Sequence, residues 1–125
     1  MPVPSCGIDL VEIARVRRAI ERHGERFVRR VFTDEETHYC EAKAHPWPHW
    51  AVRFAAKEAI FKSVPSGLLV ALVWNEIGVT RQAGSAPSVQ LLGQTRERLA
   101  GWRFAIALSH ERSLAIAQAL SFPPE

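Results

Sequence analysis

The stretch RFAAKEAIFK, residues 53–62, places one carboxylate among apolar residues that recur at helical spacing. Helical projection puts Glu58 in the same stripe as Phe54 and Phe61. Lys62 follows Glu58 by four residues, so the two charged groups are neighbours on the helix surface. One interpretation is an exposed salt bridge worth about 0.3 kcal/mol. The aromatic flank favours a second interpretation, in which Glu58 belongs to a functional site.

The second informative stretch is GIDLVEI, residues 7–13, which places Asp9 in a short apolar segment. Residues 3–9 predict a strand that runs into a helix. One interpretation of Asp9 is then a helix N-cap, a position that Asp favours. A helix start also holds an anion or a metal–phosphate group favourably, so a binding role is compatible with the cap.

Both carboxylates stand where the local pattern calls for an apolar side chain. A buried carboxylate is costly unless it is paired or bound to a metal. Asp9 and Glu58 together therefore predict a divalent cation site. The lysines and arginines nearby in the sequence predict that the metal's other ligand is a phosphate.

The chain has 125 residues, which suits one domain over residues 1–125 with a real core, and its net charge of +3 is a mild excess. Its two cysteines, Cys6 and Cys40, do not suggest a disulfide scaffold, which favours a reducing cytoplasm. No apolar run reaches the ~18 residues of a spanning helix. With no signal peptide recognised either, no membrane partner is expected.

Apolar periodicity and turn residues predict both helices and strands, and hence one compact α+β domain. Thr33 and Glu36 form a capping box that predicts a helix start, and the prolines at 46 and 48 end that helix. The predicted helices cover residues 11–23, 25–32, 49–63 and 94–100. The predicted strands cover residues 3–9, 77–80 and 88–92, and a hairpin of residues 103–109 and 114–120.

A basic stripe follows the first predicted helix. It consists of Arg15, Arg18, Arg22, Arg26 and Arg29, which share one face if the helix geometry persists past Gly24. A solvated face, an acidic protein partner and a nucleic acid all remain open. No zinc-finger spacing or clear recognition-helix motif is present, which favours the acidic protein over nucleic acid.

A zinc site is a weaker alternative. His38, Cys40, His45 and His49 have side chains that suit zinc. Their spacing matches no common zinc site, and two prolines interrupt it, so loop residues without metal are the favoured interpretation.

These motifs carry a resemblance to a known family. Residues 7–13 and 53–59, followed by Lys62, resemble the two signature blocks of the holo-acyl-carrier-protein synthases, the small bacterial 4′-phosphopantetheinyl transferases. The distance between the blocks is similar, and residues 107–117 resemble the family's final Ser-His hairpin. The similarity covers nearly the whole chain.

The resemblance implies a fold and an activity. The fold is a single α+β domain in which a mostly antiparallel sheet packs against a long helix, assembled as a homotrimer with active sites between subunits. The activity is transfer of 4′-phosphopantetheine from coenzyme A to a serine of an apo acyl carrier protein, with adenosine 3′,5′-bisphosphate as the by-product.

The resemblance also implies roles for individual residues. Asp9 and Glu58 match magnesium ligands, although Mn²⁺ suits such oxygen sites too. Glu58 is a candidate base for the carrier serine, and Lys62 matches a phosphate-contacting lysine that completes the catalytic set. The other matches near coenzyme A are Arg53, Lys57, Gly67 and His110.

The same resemblance implies a binding role for the basic stripe. Arg15, Arg22, Arg26 and Arg30 match positions that face the acidic helix of the carrier protein.

The sequence departs from the family at residues 63–67, SVPSG, where a Gly-rich turn is usual and only Gly67 remains. Residues 45–50, HPWPHW, are unusually aromatic for the family segment, and their role is open.

Two hypotheses from other classes stand beside the transferase. A nucleic-acid-binding module would explain the arginines and leave Asp9 and Glu58 unexplained. A non-catalytic relative would bind the carrier protein without turnover. The transferase explains both carboxylates, Lys62 and the basic stripe together.

Overall fold

The computed structural model describes residues 3–82 and 84–125. Strand β1 leads without a linker into four helices, which are followed by two short 3₁₀ helices, a small hairpin, a short helix and a long hairpin. The elements in chain order are β1 (Ser5–Glu12), α1 (Ile13–His23), α2 (Glu25–Val31), α3 (Asp34–Glu41), α4 (Trp47–Ser63), the 3₁₀ helices Ser66–Ala71 and Trp74–Glu76, β2 (Ile77–Thr80), β3 (Ser88–Leu91), α5 (Gly93–Arg98), β4 (Arg103–Glu111) and β5 (Leu114–Phe122).

The long helix α4 packs on an antiparallel sheet with strand order β1-β5-β4, and β2 and β3 form a second antiparallel pair. Small side chains fill the contact between helix and sheet. These are Ala51, Ala55, Ala56 and Ala59 on α4 and Ala115, Ala117 and Ala119 on β5, all with almost no exposed surface. The predicted α+β class is confirmed, as are the long helix and the terminal hairpin.

The contact between β1 and α4 is closest at Gly7. A Cβ atom built on Gly7 would overlap the carbonyl oxygen of Ala59 and come within 2.8 Å of the Ser63 amide nitrogen. Only hydrogen can occupy that position while strand and helix keep this spacing. Gly7 therefore sets how near the strand can lie to the helix.

A buried ion pair holds α3, α4 and β2 together. The predicted capping box is present, since the Thr33 hydroxyl accepts from the Glu36 amide and Glu36 Oε1 accepts from the Thr33 amide. Glu36 also lies 2.7 Å from the ammonium of Lys57, and its second oxygen accepts from the Val79 amide at 2.8 Å. Lys57 donates to the carbonyls of Trp74 and Ile77, so this fully buried pair is hydrogen-bonded on every side.

The structure corrects several sequence-based expectations. β1 continues to Glu12, so Asp9 lies inside the strand, and its interpretation as a helix N-cap is wrong. The segments Ser66–Ala71 and Trp74–Glu76 form 3₁₀ helices before the predicted strand begins at Ile77. Gly24 has φ 59° and separates α1 from α2, so the arginine stripe does not run along one continuous helix. Across the described residues, none of the helices combines the length and apolar character needed to span a bilayer.

Replacing Gly7 tests the β1–α4 contact. We expect Gly7→Ala to lower the free energy of unfolding by about 1–3 kcal/mol, because the added methyl forces β1 away from α4. Urea denaturation measures this change. Gly67→Ala is the matched control, since a Cβ there meets no atom within 4 Å. Equal stability of the two variants would contradict the contact described here.

Candidate active site

Three predicted site residues, Asp9, Glu58 and Lys62, meet where β1 crosses α4. Strand alternation turns Gly7, Asp9 and Val11 toward the helix, while Ile8 and Leu10 point away from it. The Lys62 ammonium lies 2.9 Å from Asp9 Oδ1 and also donates to the Ile8 carbonyl at 3.2 Å. The Asp9 side chain is 15% exposed and that of Lys62 52%, so the site opens to solvent on the lysine side.

Glu58 has a perturbed acidity. Its pKa is raised, first by partial burial and then by the negative charge of Asp9, while Lys62 and Arg15 act in the opposite direction. The influence of Asp9 on this pKa means that the two carboxylates lie within electrostatic range of each other. Lys62 forms its hydrogen bond with Asp9 and not with Glu58, so the surface salt bridge considered between Glu58 and Lys62 is wrong.

This arrangement fits a divalent cation. The repulsion between two neighbouring carboxylates is relieved when a cation lies between them, and oxygen donors suit Mg²⁺. Within residues 3–82 and 84–125, no group of three or more His, Cys, Asp or Glu side chains could hold a metal ion. Asp9 and Glu58 therefore offer two ligands, and phosphate oxygens and water would supply the rest.

A basic and apolar surface adjoins the carboxylates. Arg15 is close enough to influence the acidity of Glu58. Arg15 also borders a hollow of about 200 Å³ whose apolar walls include Val16, Phe27 and Phe54. The predicted partner-binding residues Arg15, Arg22, Arg26 and Arg30 are all exposed. The structure therefore places one arginine of the stripe, Arg15, at the edge of an apolar hollow and within electrostatic range of Glu58.

A second cationic group surrounds Tyr39 near the start of α4. The Arg53 guanidinium lies 4.1 Å from the centre of the Tyr39 ring, and the Lys43 ammonium lies 4.5 Å from it. His49 packs edge-on against both Tyr39 and His110, at 5.7 Å and 6.5 Å between ring centres. Arg53 is 3% exposed, donates to the His49 carbonyl, and leaves its Nε without a hydrogen-bond partner.

This group has the character of an anion site. The pKa of His49 is lowered by burial and then by the positive charges of Arg53, Lys43, His110 and Arg81. A bound anion would relieve the repulsion among these groups and could satisfy the buried Arg53 Nε. Arg53 and His110 were predicted from the sequence. Lys43 and His49 were not predicted as anion-site residues, since their order matches no known motif.

The matching family model is described as the 4′-phosphopantetheinyl transferase superfamily, and it covers residues 5–118. The chain belongs to this superfamily. Curated relatives are named holo-[acyl-carrier-protein] synthase and include one from Thermus thermophilus, 43% identical over 117 residues, with 92% of this chain and 90% of the relative covered. Another, from Koribacter versatilis, is 36% identical over 117 residues and covers 91% and 94%. The chain is accordingly an enzyme of the holo-acyl-carrier-protein synthase family.

Solved structures of family members share the fold. The holo-[acyl-carrier-protein] synthase of Neisseria meningitidis superposes with a TM-score of 0.83 at 27% identity, covering 94% of this chain and 97% of its own. The Chronobacterium ammoniagenes protein, solved as a complex with coenzyme A, superposes with a TM-score of 0.81 at 25% identity, covering 99% and 100%. A third, from Helicobacter pylori, was also solved with coenzyme A, and its TM-score is 0.76 at 25% identity, covering 94% and 99%.

One sequence-based assignment needs correction within this family fold. Lys57 was expected near coenzyme A, but its ammonium is fully buried against Glu36 and cannot reach a ligand in this structure. Among the described residues, His38, Cys40, His45 and His49 do not form a group of three or more metal ligands. Cys40 is buried, which raises the pKa of its thiol to about 12. Gly67 is exposed in the first 3₁₀ helix, and its role in binding stays a prediction.

The acidity of Glu58 predicts a pH-dependent stability. Because its pKa is raised above the ordinary 4.5, the folded protein binds more protons than the unfolded chain just above that value. The contribution of Glu58 to stability therefore falls as the pH rises through the raised pKa. We expect Glu58→Gln, in EDTA, to gain stability relative to wild type at neutral pH and to lose that gain below pH 4.5. Urea unfolding at both pH values measures the difference, and a pH-independent difference would contradict the interpretation.

Proposed function

We propose that this enzyme transfers 4′-phosphopantetheine from coenzyme A to a serine of an apo acyl carrier protein, with a divalent cation at Asp9 and Glu58. The observation that carries the proposal is the meeting of Asp9, Glu58 and Lys62 beside an exposed basic surface. The coenzyme A complexes of similar proteins support the donor. The curated names of relatives support the acceptor.

The reaction is a balanced displacement at phosphorus. The serine oxygen attacks the phosphorus that carries the pantetheine arm, and the bond from that phosphorus to the bridging oxygen breaks. The serine hydroxyl loses its proton, and adenosine 3′,5′-bisphosphate departs with the bridging oxygen. Asp9 and Glu58 would hold the cation, which would offset the negative charge that develops on the departing phosphate.

The chain's own residues bind the donor and move the proton. Lys62, half-exposed beside Asp9, is placed to contact a pyrophosphate oxygen. The raised pKa of Glu58 makes it a better proton acceptor than an ordinary carboxylate, which suits a general base for the serine. Arg15, near Glu58, lies where an incoming acidic partner would meet the site.

The cationic group around Tyr39 suits another phosphate of coenzyme A, with Arg53 and His110 as its principal contacts. His49 and Glu58 are nine residues apart on α4, or about 13 Å along the helix axis. One pyrophosphate cannot touch both groups within a single subunit. In the homotrimer that the sequence resemblance implies, a site shared between neighbouring subunits would bring the Tyr39 group of one chain toward the carboxylates of another.

The outer face of the sheet supports the same assembly. Ile8, Leu10 and Leu114 are 56%, 60% and 41% exposed and lie on neighbouring strands. Exposed aliphatic side chains grouped on one sheet face are typical of a subunit contact. Sedimentation equilibrium tests the assembly, and a monomer at enzymatically active concentrations would contradict a shared site.

Intact-mass spectrometry of an apo acyl carrier protein tests the transfer. We expect a gain of one phosphopantetheine mass after incubation with the enzyme, coenzyme A and Mg²⁺, and loss of that gain in EDTA. Glu58→Gln should slow the transfer by about 100-fold or more, which is a typical effect of removing a general base. Glu97→Gln, an exposed acid on α5, is the matched control. No mass gain with several carrier proteins, although coenzyme A binds, would contradict the proposal.

Metal binding can be measured apart from turnover. We expect Mg²⁺ to raise the melting temperature of the wild type and to leave that of Asp9→Asn unchanged, because the variant lacks one of the two carboxylates. Mn²⁺ in the same titration determines whether the site discriminates between the two ions. An equal shift in wild type and variant would place the metal elsewhere.

The basic surface predicts a charge-dependent affinity for the carrier protein. We expect Arg22→Glu to raise the KM for the carrier by about threefold to tenfold, with little change in kcat, because exposed opposite charges mainly affect encounter. Arg96→Glu, an exposed arginine on α5, is the control. Equal effects of the two substitutions on KM would show that the carrier protein does not bind this surface.

A further inference from the structure

A groove of about 610 Å³ lies among α1, α2, α3 and the start of α4, and the transfer reaction does not account for it. Phe32 and Trp50 form its floor, edge to face at 4.7 Å between ring centres, and both are buried. Trp47 and Val28 line its walls. The volume falls within the range of pockets that hold small molecules.

The rim of this groove is acidic. The charged residues that line the groove are Glu25, Asp34 and Glu41 against one guanidinium, that of Arg29. Arg29 already pairs with Glu25 at 3.1 Å. Among the described residues, no basic side chain lies within ion-pair distance of Asp34 or Glu41. A net negative rim stands out in a chain whose overall charge is +3.

Trp47, on the wall of the groove, already makes one contact with a positive charge. The Arg17 guanidinium lies 5.1 Å from the centre of the Trp47 ring, in cation–π contact. An indole of this kind, beside free carboxylates and above an aromatic floor, attracts a cation that carries apolar groups. An anion would meet the repulsion of Asp34 and Glu41.

We propose that the groove is a binding site for a small organic cation, an amine or quaternary ammonium with an aromatic or branched aliphatic body. The apolar body would lie on Phe32, Val28 and Trp50, and the charged group would lie near Asp34 and Glu41. The negative charges of Asp34 and Glu41 would repel coenzyme A and an acidic carrier protein from the groove. The site does not depend on the transferase activity proposed above.

The groove is separate from the carboxylate site. Trp47 and Glu58 are eleven residues apart on α4, or about 16 Å along the helix axis. Asp34 and Glu41 belong to α3, and none of the groove residues contributes to the contacts of Asp9 or Lys62. A ligand in the groove would therefore leave the contacts of Asp9 and Lys62 in place.

Three probes with one shared body test the charge preference. These are 4-tert-butylbenzylamine, which is cationic at neutral pH, 4-tert-butylbenzyl alcohol and 4-tert-butylbenzoate. Titrations followed by ¹H–¹⁵N correlation spectra would report on the Trp47 and Trp50 indole signals of the full chain. We expect the amine to bind most tightly and the benzoate most weakly, with the largest shifts at Trp47.

Single-charge variants test the role of the rim. We expect Glu41→Gln and Asp34→Asn each to weaken amine binding about twofold to fivefold, as for exposed ion pairs, and to leave the alcohol unaffected. Glu97→Gln, an exposed acid on α5 outside the groove, should change neither. Equal binding of the three probes, no binding at millimolar concentration, or equal effects of Glu97→Gln and Glu41→Gln would each overturn the proposal.

Discussion

The close packing of β1 on α4 at Gly7 is the constraint on which the candidate site depends. A strand without a side chain at that point lies against the helix backbone near Ala59 and Ser63. Two residues later, strand alternation turns Asp9 to the same side, where it meets Lys62 and the charge of Glu58. A wider strand–helix spacing would separate the two carboxylates and remove the mutual repulsion that makes them suitable for a cation.

The charged residues of α4 have two different environments. Lys57 points into the core, where Glu36 and two carbonyl oxygens surround its ammonium. Its neighbour Glu58 is partly exposed and faces Asp9. Burying Lys57 is tolerable only because every hydrogen bond is made, and the same bonds tie α4 to α3 and β2. The pair thus fixes the rotation of α4 about its axis, and with it the direction of Glu58.

The fold could be predicted from the sequence because its signals are local. The Thr33 capping box, the proline boundary before α4 and the alternating terminal strands each depend on a few neighbouring residues. Contacts between residues far apart in the chain could not be predicted in this way. The position of the Lys57 ammonium depends on Glu36 and on the carbonyls of Trp74 and Ile77, which are 21, 17 and 20 residues away in the chain. No local pattern distinguishes a buried lysine from a ligand-binding lysine in the same motif.

The alternation of β1 has a consequence for how this chain can evolve. Gly7, Asp9 and Val11 face the helix, whereas Ile8 and Leu10 face outward. Inserting or deleting one residue between Gly7 and Asp9 would turn the carboxylate outward and bury an aliphatic residue in its place. Substitutions on the outer face of β1 leave Asp9 facing the helix. Inserting or deleting an odd number of residues turns Asp9 away from it. We therefore expect natural and designed relatives to vary this strand in composition while keeping its number of residues.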